Sequence, residues 1–260
     1  MKESFLENYV DLEGNSFSRK KVNKFCIVIF AGIKFFSDRL LSLLGLIILL
    51  PIMLVIAIII KIDSKGPVLF KQTRTGKGGK EITVYKFRSM VADNNVRDFS
   101  KQDEHTRVGT ILRKTSLDEL PQLISVLKGD MSFIGPRPWI PEYYDSMTEV
   151  QRHRCDVRPG ITGLAQCMGR NDITIFEKIN YDLEYIKNYS LRQDIKIIFL
   201  TIKTVFSKEG ADAGKGTIQN EIEELKMVNK TRASKELKKN INSEADVSEL
   251  VESVTEVQVA

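Results

Sequence analysis

The sequence has few of the side chains that bind transition metals or act as bases at neutral pH. Three cysteines and two histidines occur in 260 residues. Cys26, Cys155 and Cys167 form no CxxC pair, and His105 and His153 form no HxxxH or HExxH spacing. These absences argue against a zinc site, a disulfide framework and a histidine-based mechanism. A reducing environment for the catalytic part of the chain is the simplest interpretation.

A phosphate-binding P-loop is also missing. No GxxxxGK[ST] motif occurs, and the GKGG stretch at 76–79 precedes a predicted strand rather than a helix. The net charge of +5 is modest, but lysine and arginine clearly outnumber aspartate and glutamate between residues 71 and 114. That segment predicts an anionic partner, which on charge alone is a nucleic acid, a phospholipid headgroup or a nucleotide.

The longest strongly apolar stretch without a charge runs from Leu40 to Ile60. As a helix it reaches roughly 30 Å, which is the hydrocarbon thickness of a bilayer. A cleaved signal peptide is a poor interpretation, because Lys61 and Asp63 follow the stretch instead of a small-residue cleavage site. We therefore predict a membrane helix over residues 35–61.

The flanks of this helix and its central proline predict its course. Basic residues, typical of the cytoplasmic side, stand on both flanks: Lys20, Lys21, Lys24, Lys34 and Arg39 before it, and Lys61, Lys65, Lys71 and Arg74 after it. Pro51 lacks a backbone donor and clashes with the carbonyl group of Ile47, which bends or breaks a helix. Together these features predict a proline-broken, re-entrant helix with both ends on one face. A kinked single-pass helix and a buried soluble helix stay open as alternatives.

The following segment predicts an α+β fold. Apolar residues at 68–70 and β-branched and aromatic residues at 82–85 flank the GKGG turn, a pattern typical of a β-hairpin. A short helix is expected between Pro121 and Gly129. The proline-rich IGPRPWIP at 134–141 predicts a rigid, extended loop.

The rest of the chain predicts further helices and a tail. The pattern from Phe176 to Phe206 is helical, and one apolar stripe on it suits either core packing or a lipid interface: Leu191, Ile195, Ile198, Phe199, Ile202 and Phe206. Residues 207–260 contain no aromatic residue and predict a charged tail that is flexible or marginally helical. The expected organisation is a polar, basic segment at 1–34, the membrane helix at 35–61, a mostly helical cytoplasmic catalytic domain with a small β-hairpin and interfacial amphipathic helices at 62–206, and the tail.

Two adjacent carboxylates stand in an unusual cluster. Asp118 and Glu119 lie in RKTSLDELP, between basic residues and Pro121. A structural interpretation is that Ser116 and Glu119 form the capping box of a helix. A functional interpretation is that one carboxylate attacks phosphorus while the other holds Mg²⁺, whose preferred ligands are hard oxygens. Both interpretations stay open on the residues alone.

Five basic residues are candidates for binding the phosphates of an anionic substrate. They stand in motif-like surroundings rather than in runs typical of a solvated face: Lys86, Arg88, Arg113, Arg137 and Arg170. Arginine suits this role because its planar fork binds phosphate oxygens with two hydrogen bonds. A surface salt bridge is the alternative for each of them taken singly.

Four ordered stretches resemble the bacterial sugar transferase family, the monotopic polyprenyl-phosphate phosphoglycosyl transferases. They are YKFRSM at 85–90, SLDELPQL at 116–123, LKGDMSFIGPRP at 127–138 and RPGITGLAQCMGR at 158–170. The resemblance extends over residues 35–210 and includes the apolar segment with its proline. Four motifs in the same order are far more specific than any one of them alone.

The resemblance implies transfer of a sugar 1-phosphate from a UDP-sugar to undecaprenyl phosphate with release of UMP, at the first membrane step of capsule, exopolysaccharide, O-antigen or glycoprotein assembly. It implies that Asp118 is the nucleophile of a covalent phosphosugar intermediate and that Glu119 belongs to a Mg²⁺ site. Arg137 and Arg170 are expected to contact phosphate or nucleotide. The enzyme is expected at the inner (cytoplasmic) membrane, with its catalytic domain facing the cytoplasm. The lipid bilayer is an expected partner, and a nucleic acid is not.

The sequence departs from the family pattern in three places. Leu50 precedes Pro51 where many members have serine, and NDITIFEK at 171–178 replaces a segment in which a tryptophan is common, while the sole Trp139 follows GPRP. The long N-terminal membrane bundle of larger members is not seen, which favours the small form. Three alternatives remain: direct one-step transfer with Asp118 as a metal ligand, a regulatory subunit with the same fold, and a membrane-anchored non-catalytic basic domain that binds nucleic acid or acidic lipid.

Overall fold

The architecture is a mostly helical α+β domain that packs on one long N-terminal helix. The computed structural model describes residues 9–10, 16–17, 24–91, 105–169, 173–207, 218–231 and 233–234. Its helices are α1 Lys24–Asp63, α2 Arg107–Lys114, α3 Gln122–Lys128, α4 Pro141–Asp145, α5 Glu149–Arg152, α6 Leu164–Met168, α7 Ile175–Lys187, α8 Leu191–Ser207 and α9 at 218–231. Its strands are β1 Tyr9–Val10, β2 Ser16–Phe17, β3 Leu69–Thr75, β4 Glu81–Phe87, β5 Ser132–Ile134 and β6 Gly160–Thr162.

The strands form two-stranded sheets. β3 and β4 form the antiparallel hairpin predicted from the sequence, with Leu69 opposite Phe87 and Thr75 opposite Glu81. β5 pairs in parallel with β6, and β1 pairs antiparallel with β2. Since a parallel pair brings like ends of its strands together, the proline-rich loop after β5 lies beside the end of β6.

The long helix α1 presents one stripe of residues to the rest of the domain. Asp38, Ser42, Ile56 and Ile60 are buried, and their spacing places them on one face of the helix. The opposite face carries large exposed apolar side chains: Leu40, Leu44, Ile47, Ile48, Leu50, Val55, Ile58 and Ile62. Within the described part of the chain, α1 is the one helix that is long and apolar enough to cross a membrane.

The helical assignment of α1 continues through Pro51. Both halves of α1 contact the same domain: Lys34 forms an ion pair with Asp194 of α8, and the carbonyl of Ile60 accepts a hydrogen bond from Arg88 after β4. The proline break and the re-entrant course stay predictions.

Apolar clusters join these elements. Ile56 and Ile60 of α1 pack with Phe87 of β4 and Leu112 of α2. A second cluster joins β5, α6, α7 and α8: Ile134, Leu164, Tyr185, Ile186 and Ile197. The first cluster ties α1 to the hairpin, so the carboxylate turn between α2 and α3 lies next to the long helix.

The predicted helical segment from Phe176 to Phe206 is two helices, α7 and α8, separated at residues 188–190. The apolar stripe on α8 faces away from the core. Its described members are 45–68% exposed: Leu191, Ile195, Ile198, Phe199 and Ile202. This exposure rules out core packing of the stripe among the described residues, and contact with the lipid interface stays a prediction.

Part of the predicted tail is helical and packed. Ile218, Ile222 and Leu225 of α9 are buried against the domain. Of the two forms expected for the tail, flexible or marginally helical, this segment is helical, and it packs on the domain because three apolar residues at helical spacing bury one face of the helix. The remaining residues beyond 207, apart from 233–234, lie outside the described residues.

Candidate active site

The two adjacent carboxylates lie in a tight turn between α2 and α3. Ser116 has a left-handed backbone with φ 56, and the short 3₁₀ helix Leu117–Glu119 follows it. The structural interpretation, a capping box formed by Ser116 and Glu119, is wrong, because the Ser116 side chain forms no cap hydrogen bond and Glu119 binds cations instead. Pro121 then directly precedes α3, which ends at Gly129 with φ 86, as the sequence predicts.

Glu119 is held between two cations from distant parts of the chain. Nζ of Lys86, on β4, donates to Glu119 Oε1 at 2.6 Å. Nη2 of Arg137, in the loop after β5, donates to the same oxygen at 2.8 Å. These charge-assisted bonds join three of the predicted site residues into one cluster.

Burial and neighbouring charges shift the pKa values of the two carboxylates in opposite directions. Burial raises the pKa of Asp118, and the Glu119 carboxylate adds to this rise while Lys86 opposes it. Burial also acts to raise the pKa of Glu119, but Arg137 and Lys86 outweigh it and hold that pKa well below its usual range. Glu119 is thus a firmly ionised partner of the cations, whereas the Asp118 carboxylate is ionised at an energetic cost.

The pKa values of the cations around Asp118 and Glu119 are shifted by the same burial and charges. Burial lowers the pKa of Lys86, and the Glu119 carboxylate partly offsets this. The same carboxylate raises the pKa of Arg137. Burial, with Arg137 nearby, lowers the pKa of Arg74 to about 10, so Arg74 is still a cation at neutral pH.

Arg74 is a member of this cluster that sequence reasoning missed. It lies on β3 of the hairpin and donates to the carbonyl oxygen of Pro138 and to Gln72. Arg74 lies close enough to Arg137 and Glu119 for both to affect its pKa, which Arg137 lowers and Glu119 raises. The sequence signal was its position in the hairpin that also carries Lys86, since β3 and β4 pair along their length.

The loop that carries Arg137 is fixed through its carbonyl oxygens. Prolines leave it few N–H groups, but four consecutive carbonyls accept hydrogen bonds: Pro136 from Gly160 N at 2.9 Å, Arg137 from Arg154 Nη2 at 2.9 Å, Pro138 from Arg74 Nη1 at 3.5 Å and Trp139 from Thr75 N at 2.7 Å. Arg154 is itself buried and pairs with buried Asp182 at 2.6 Å. These contacts hold the Arg137 backbone beside the dyad.

The other predicted substrate-binding residues lie in different places. Arg113, in the last turn of α2, lies within hydrogen-bonding distance of His105 Nε2, at 3.3 Å, and acts electrostatically on Asp118. Arg88 instead binds the C-terminal end of α1, donating to Ser64 O at 2.6 Å and to Lys65 O at 3.0 Å. That position is typical of a cation at a helix C-terminus. Arg170 lies outside the described residues.

The donor set of the dyad suits a hard cation. The described residues contain no group of three or more His, Cys, Asp or Glu side chains that forms a ready metal site. Both cations bind Glu119 Oε1, and Glu119 Oε2 accepts no hydrogen bond from the described residues. Proteins usually bind Mg²⁺ through one or two carboxylates, and substrate phosphates complete the site.

The comparison with protein families decides the relationship. The model of the family described as "Bacterial sugar transferase" matches residues 30–208. The chain belongs to this family. The match contains α1 from residue 30 onward, the dyad, the hairpin and the Arg137 loop of this sugar transferase, whereas α9 follows its last matched residue.

Curated relatives of this sugar transferase come from several bacteria. A Klebsiella pneumoniae UDP-glucose:undecaprenyl-phosphate glucose-1-phosphate transferase is 48% identical over 187 residues, 67% of this chain and 40% of the relative. An Aeromonas hydrophila UDP-N-acetylgalactosamine-undecaprenyl-phosphate N-acetylgalactosaminephosphotransferase is 42% identical, over 70% of this chain and 46% of the relative. The uncharacterized sugar transferase EpsL of Bacillus subtilis is 44% identical, over 58% and 76%. The chain therefore spans less than half the length of the Klebsiella and Aeromonas proteins.

Proposed function

We propose that this sugar transferase moves a sugar 1-phosphate from a UDP-sugar to undecaprenyl phosphate and releases UMP. The observation that carries the proposal is the pair of buried Asp118 and half-buried Glu119, whose pKa values shift in opposite directions beside Lys86 and Arg137. The names of the Klebsiella and Aeromonas relatives describe transfers of this class, with different sugars. Such a step commits a lipid-linked sugar to the assembly of a bacterial surface glycan or glycoprotein.

The charges around the dyad suit a diphosphate. Lys86 and Arg137 share the single charge of Glu119, and Arg74 adds another positive charge close by. The Arg137 side chain is 43% exposed, so part of its guanidinium reaches the open side of the cluster. We infer that the donor diphosphate binds there, because its own charge must be neutralised before a carboxylate approaches phosphorus.

In the first half-reaction, a carboxylate oxygen of Asp118 attacks the phosphorus that bears the sugar. A bond forms between this oxygen and phosphorus, the bond from phosphorus to the bridging diphosphate oxygen breaks, and UMP leaves with the electron pair. The environment of Asp118 supports this role, because a buried carboxylate is less solvated than one in water. Lys86, Arg137 and Arg74 hold the departing phosphate charge.

In the second half-reaction, an oxygen of undecaprenyl phosphate attacks the same phosphorus. The acyl phosphate bond to Asp118 breaks, and the carboxylate is restored as the lipid diphosphate sugar leaves. The acceptor phosphate is already ionised, so no residue has to remove a proton from it. The scarcity of histidine in the chain agrees with this chemistry.

Mg²⁺ fits the oxygens of this site. Glu119 Oε2 would hold the ion together with donor phosphate oxygens. When bound, Mg²⁺ supplies further neutralisation of the diphosphate. With or without the bound ion, the ion pairs of Glu119 Oε1 with Lys86 and Arg137 keep this carboxylate ionised and oriented.

The position of α1 supports attachment to one face of the inner membrane. Lys34 near its beginning and Ile60 near its end contact the same domain, so we propose that both ends of α1 lie on the cytoplasmic face. The exposed apolar faces of α1 and α8 then contact lipid. This arrangement brings the dyad to the headgroup level, where a lipid phosphate lies.

The test is intact-mass analysis of the protein in nanodiscs with Mg²⁺ and a panel of UDP-sugars, first without acceptor. We expect one donor to add the mass of one phosphosugar and undecaprenyl phosphate to remove it. Asp118→Asn should give no adduct. Asp145→Asn, which alters an exposed aspartate at the end of α4, is the matched control and should react like the unmodified chain.

Two other outcomes would change the proposal. UMP release that needs the acceptor and never yields an adduct would favour direct transfer, with Asp118 as a metal ligand. No adduct and no UMP with any donor would leave a membrane-bound, non-catalytic protein as the better description.

A further inference from the structure

Helix α9 lies beyond the residues that match the family, yet it packs against the segment that follows the Arg137 loop. We propose that α9 is a positioning element, which holds Arg137 in the donor site by clamping Trp139 and the segment after it. This inference rests on the proposed function, because it gives a role in donor binding to a helix that the family match does not include.

The apolar face of α9 is complete and buried. Ile218, Ile222 and Leu225 follow the i, i+4, i+7 spacing of one helix face and are 8%, 4% and 0% exposed. They share one cluster with Trp139, with Tyr143 of α4 and its neighbours Ile140 and Met147, and with Ile175 and Ile179 of α7. A helix face buried to this extent is part of the folded domain and holds a fixed place relative to Trp139.

Polar contacts fix both ends of α9. Glu221 accepts hydrogen bonds from the Tyr143 hydroxyl and from Lys178 Nζ. About two turns later, Asn229 Nδ2 donates to Ser146 O at 2.9 Å and to Gln151 Oε1 at 3.0 Å. These bonds set the register of α9 on α4 and α5, which follow the Arg137 loop directly.

Trp139 connects α9 to Arg137. Its ring packs in the α9 cluster and also receives the guanidinium of Arg154, whose Cζ lies 3.6 Å from the ring centroid. The same guanidinium donates to the carbonyl oxygen of Arg137 at 2.9 Å. Movement of Trp139 therefore disturbs the group that fixes the Arg137 backbone, two residues before it.

The competing explanation is that α9 only covers apolar surface and contributes stability. A purely structural helix would alter the folded fraction, and hence kcat, without altering the affinity of the folded site. A positioning helix alters donor affinity in molecules that are folded. The KM for the donor and the binding of UDP with Mg²⁺ separate these cases.

The experiment compares three variants of the full chain in nanodiscs. Leu225→Ala removes the most buried contact of α9, and Glu221→Gln weakens its bonds to α4 and α7 without creating a cavity. Met227→Ala is the matched control, since this side chain is 66% exposed on the same helix. Trp139 is the only tryptophan, so the emission maximum reports on its contact with α9 directly.

We expect Leu225→Ala and Glu221→Gln to raise the donor KM and the Kd for UDP about tenfold, as when one charge-assisted hydrogen bond is weakened. Leu225→Ala should also shift Trp139 emission to longer wavelength, and Met227→Ala should change none of these quantities. Unchanged KM and Kd in both variants would overturn the positioning role, whatever the emission shows. An unmodified chain that binds UDP but releases no UMP would overturn the proposed function, while the Kd values would still decide the inference. An unmodified chain that binds no UDP would overturn both.

Discussion

Neutralising the two carboxylates of the dyad should have opposite effects on stability. Glu119→Gln leaves Lys86 and Arg137 without the charge that both of them bind. Asp118→Asn removes a carboxylate for which burial is the largest influence on the pKa. We therefore expect Glu119→Gln to destabilise the fold at pH 7 and Asp118→Asn to leave it equally or more stable, although both variants lose transferase activity.

The magnitude follows from the exposure of each pair. The Lys86 and Glu119 side chains are 23% and 17% exposed, so breaking this pair approaches the loss of about 3 kcal/mol typical of a buried pair. Arg137 is 43% exposed, so its pair with Glu119 is discounted to about 0–1 kcal/mol for solvent screening. The glutamine amide oxygen still accepts one hydrogen bond. The expected loss for Glu119→Gln is about 2–4 kcal/mol.

The pH dependence gives each effect a sign. The folded pKa of Glu119 lies below its ordinary value of 4.5, so its contribution is complete above that value and is lost as the pH falls through the folded pKa. The folded pKa of Asp118 lies above its ordinary value of 3.8, so the burden of its charge is absent at low pH and develops as the pH rises through the folded pKa. The difference between the two variants should therefore be largest at neutral pH and should narrow at pH 4, where the cost of the Asp118 charge is smaller while most of the Glu119 contribution persists.

The assay is unfolding of each variant in the same detergent, followed by Trp139 emission at pH 7 and pH 4. Asp145→Asn is the control for removing an exposed aspartate. A loss of stability in Asp118→Asn as large as that in Glu119→Gln would refute the reasoning, because it would mean that Asp118 also stabilises the fold through its charge.

Further predictions concern the cations, the metal and the course of α1. Arg74→Met should raise the donor KM about tenfold in steady-state kinetics, whereas Lys71→Met, which alters an exposed cation on the same strand, should not. Arg88→Ala should lower the unfolding free energy by about 2–3 kcal/mol but leave the donor KM unchanged, since its bonds go to the end of α1; a raised KM with normal stability would instead make it a substrate ligand. Chelation with EDTA should abolish UMP release and added Mg²⁺ should restore it; activity that persists in EDTA would contradict the metal site. In inside-out vesicles, a membrane-impermeant maleimide should label both the exposed Cys26 and a cysteine placed at Lys65, and labelling of one end alone would mean that α1 crosses the bilayer.

Local signals in the sequence were sufficient for the elements that they specify. The hairpin follows from β-branched and aromatic residues on either side of a glycine turn, and α3 follows from Pro121 and Gly129 at its ends. The capping box at Ser116 failed although its motif was present, because contacts of Glu119 with β4 and the Arg137 loop outweighed a local cap. A local motif shows which partners a side chain could bind, and the tertiary contacts decide which of these partners it does bind.

The same reasoning explains the outcome for the basic residues. Lys86 and Arg137 reach Glu119, as expected of a shared site, while Arg88, two residues after Lys86, binds the end of α1. β4 ends at Phe87, so Arg88 lies just beyond the strand, and the end of α1 that it binds is 23–24 residues away in the sequence. Arg74 belongs to the cluster because the strand pairing places it on the same face of the hairpin as Lys86.

By itself, the sequence determined the apolar helix, the order of the motifs, the carboxylate pair and the resemblance to sugar transferases, because each of these depends on residue type and short spacing. The tertiary structure alone decided which cations hold Glu119, that Asp118 and Glu119 have opposite pKa shifts, and that α9 packs on Trp139. Those features depend on burial and on distances between residues far apart in the chain, and neither quantity is set by local conformational preference.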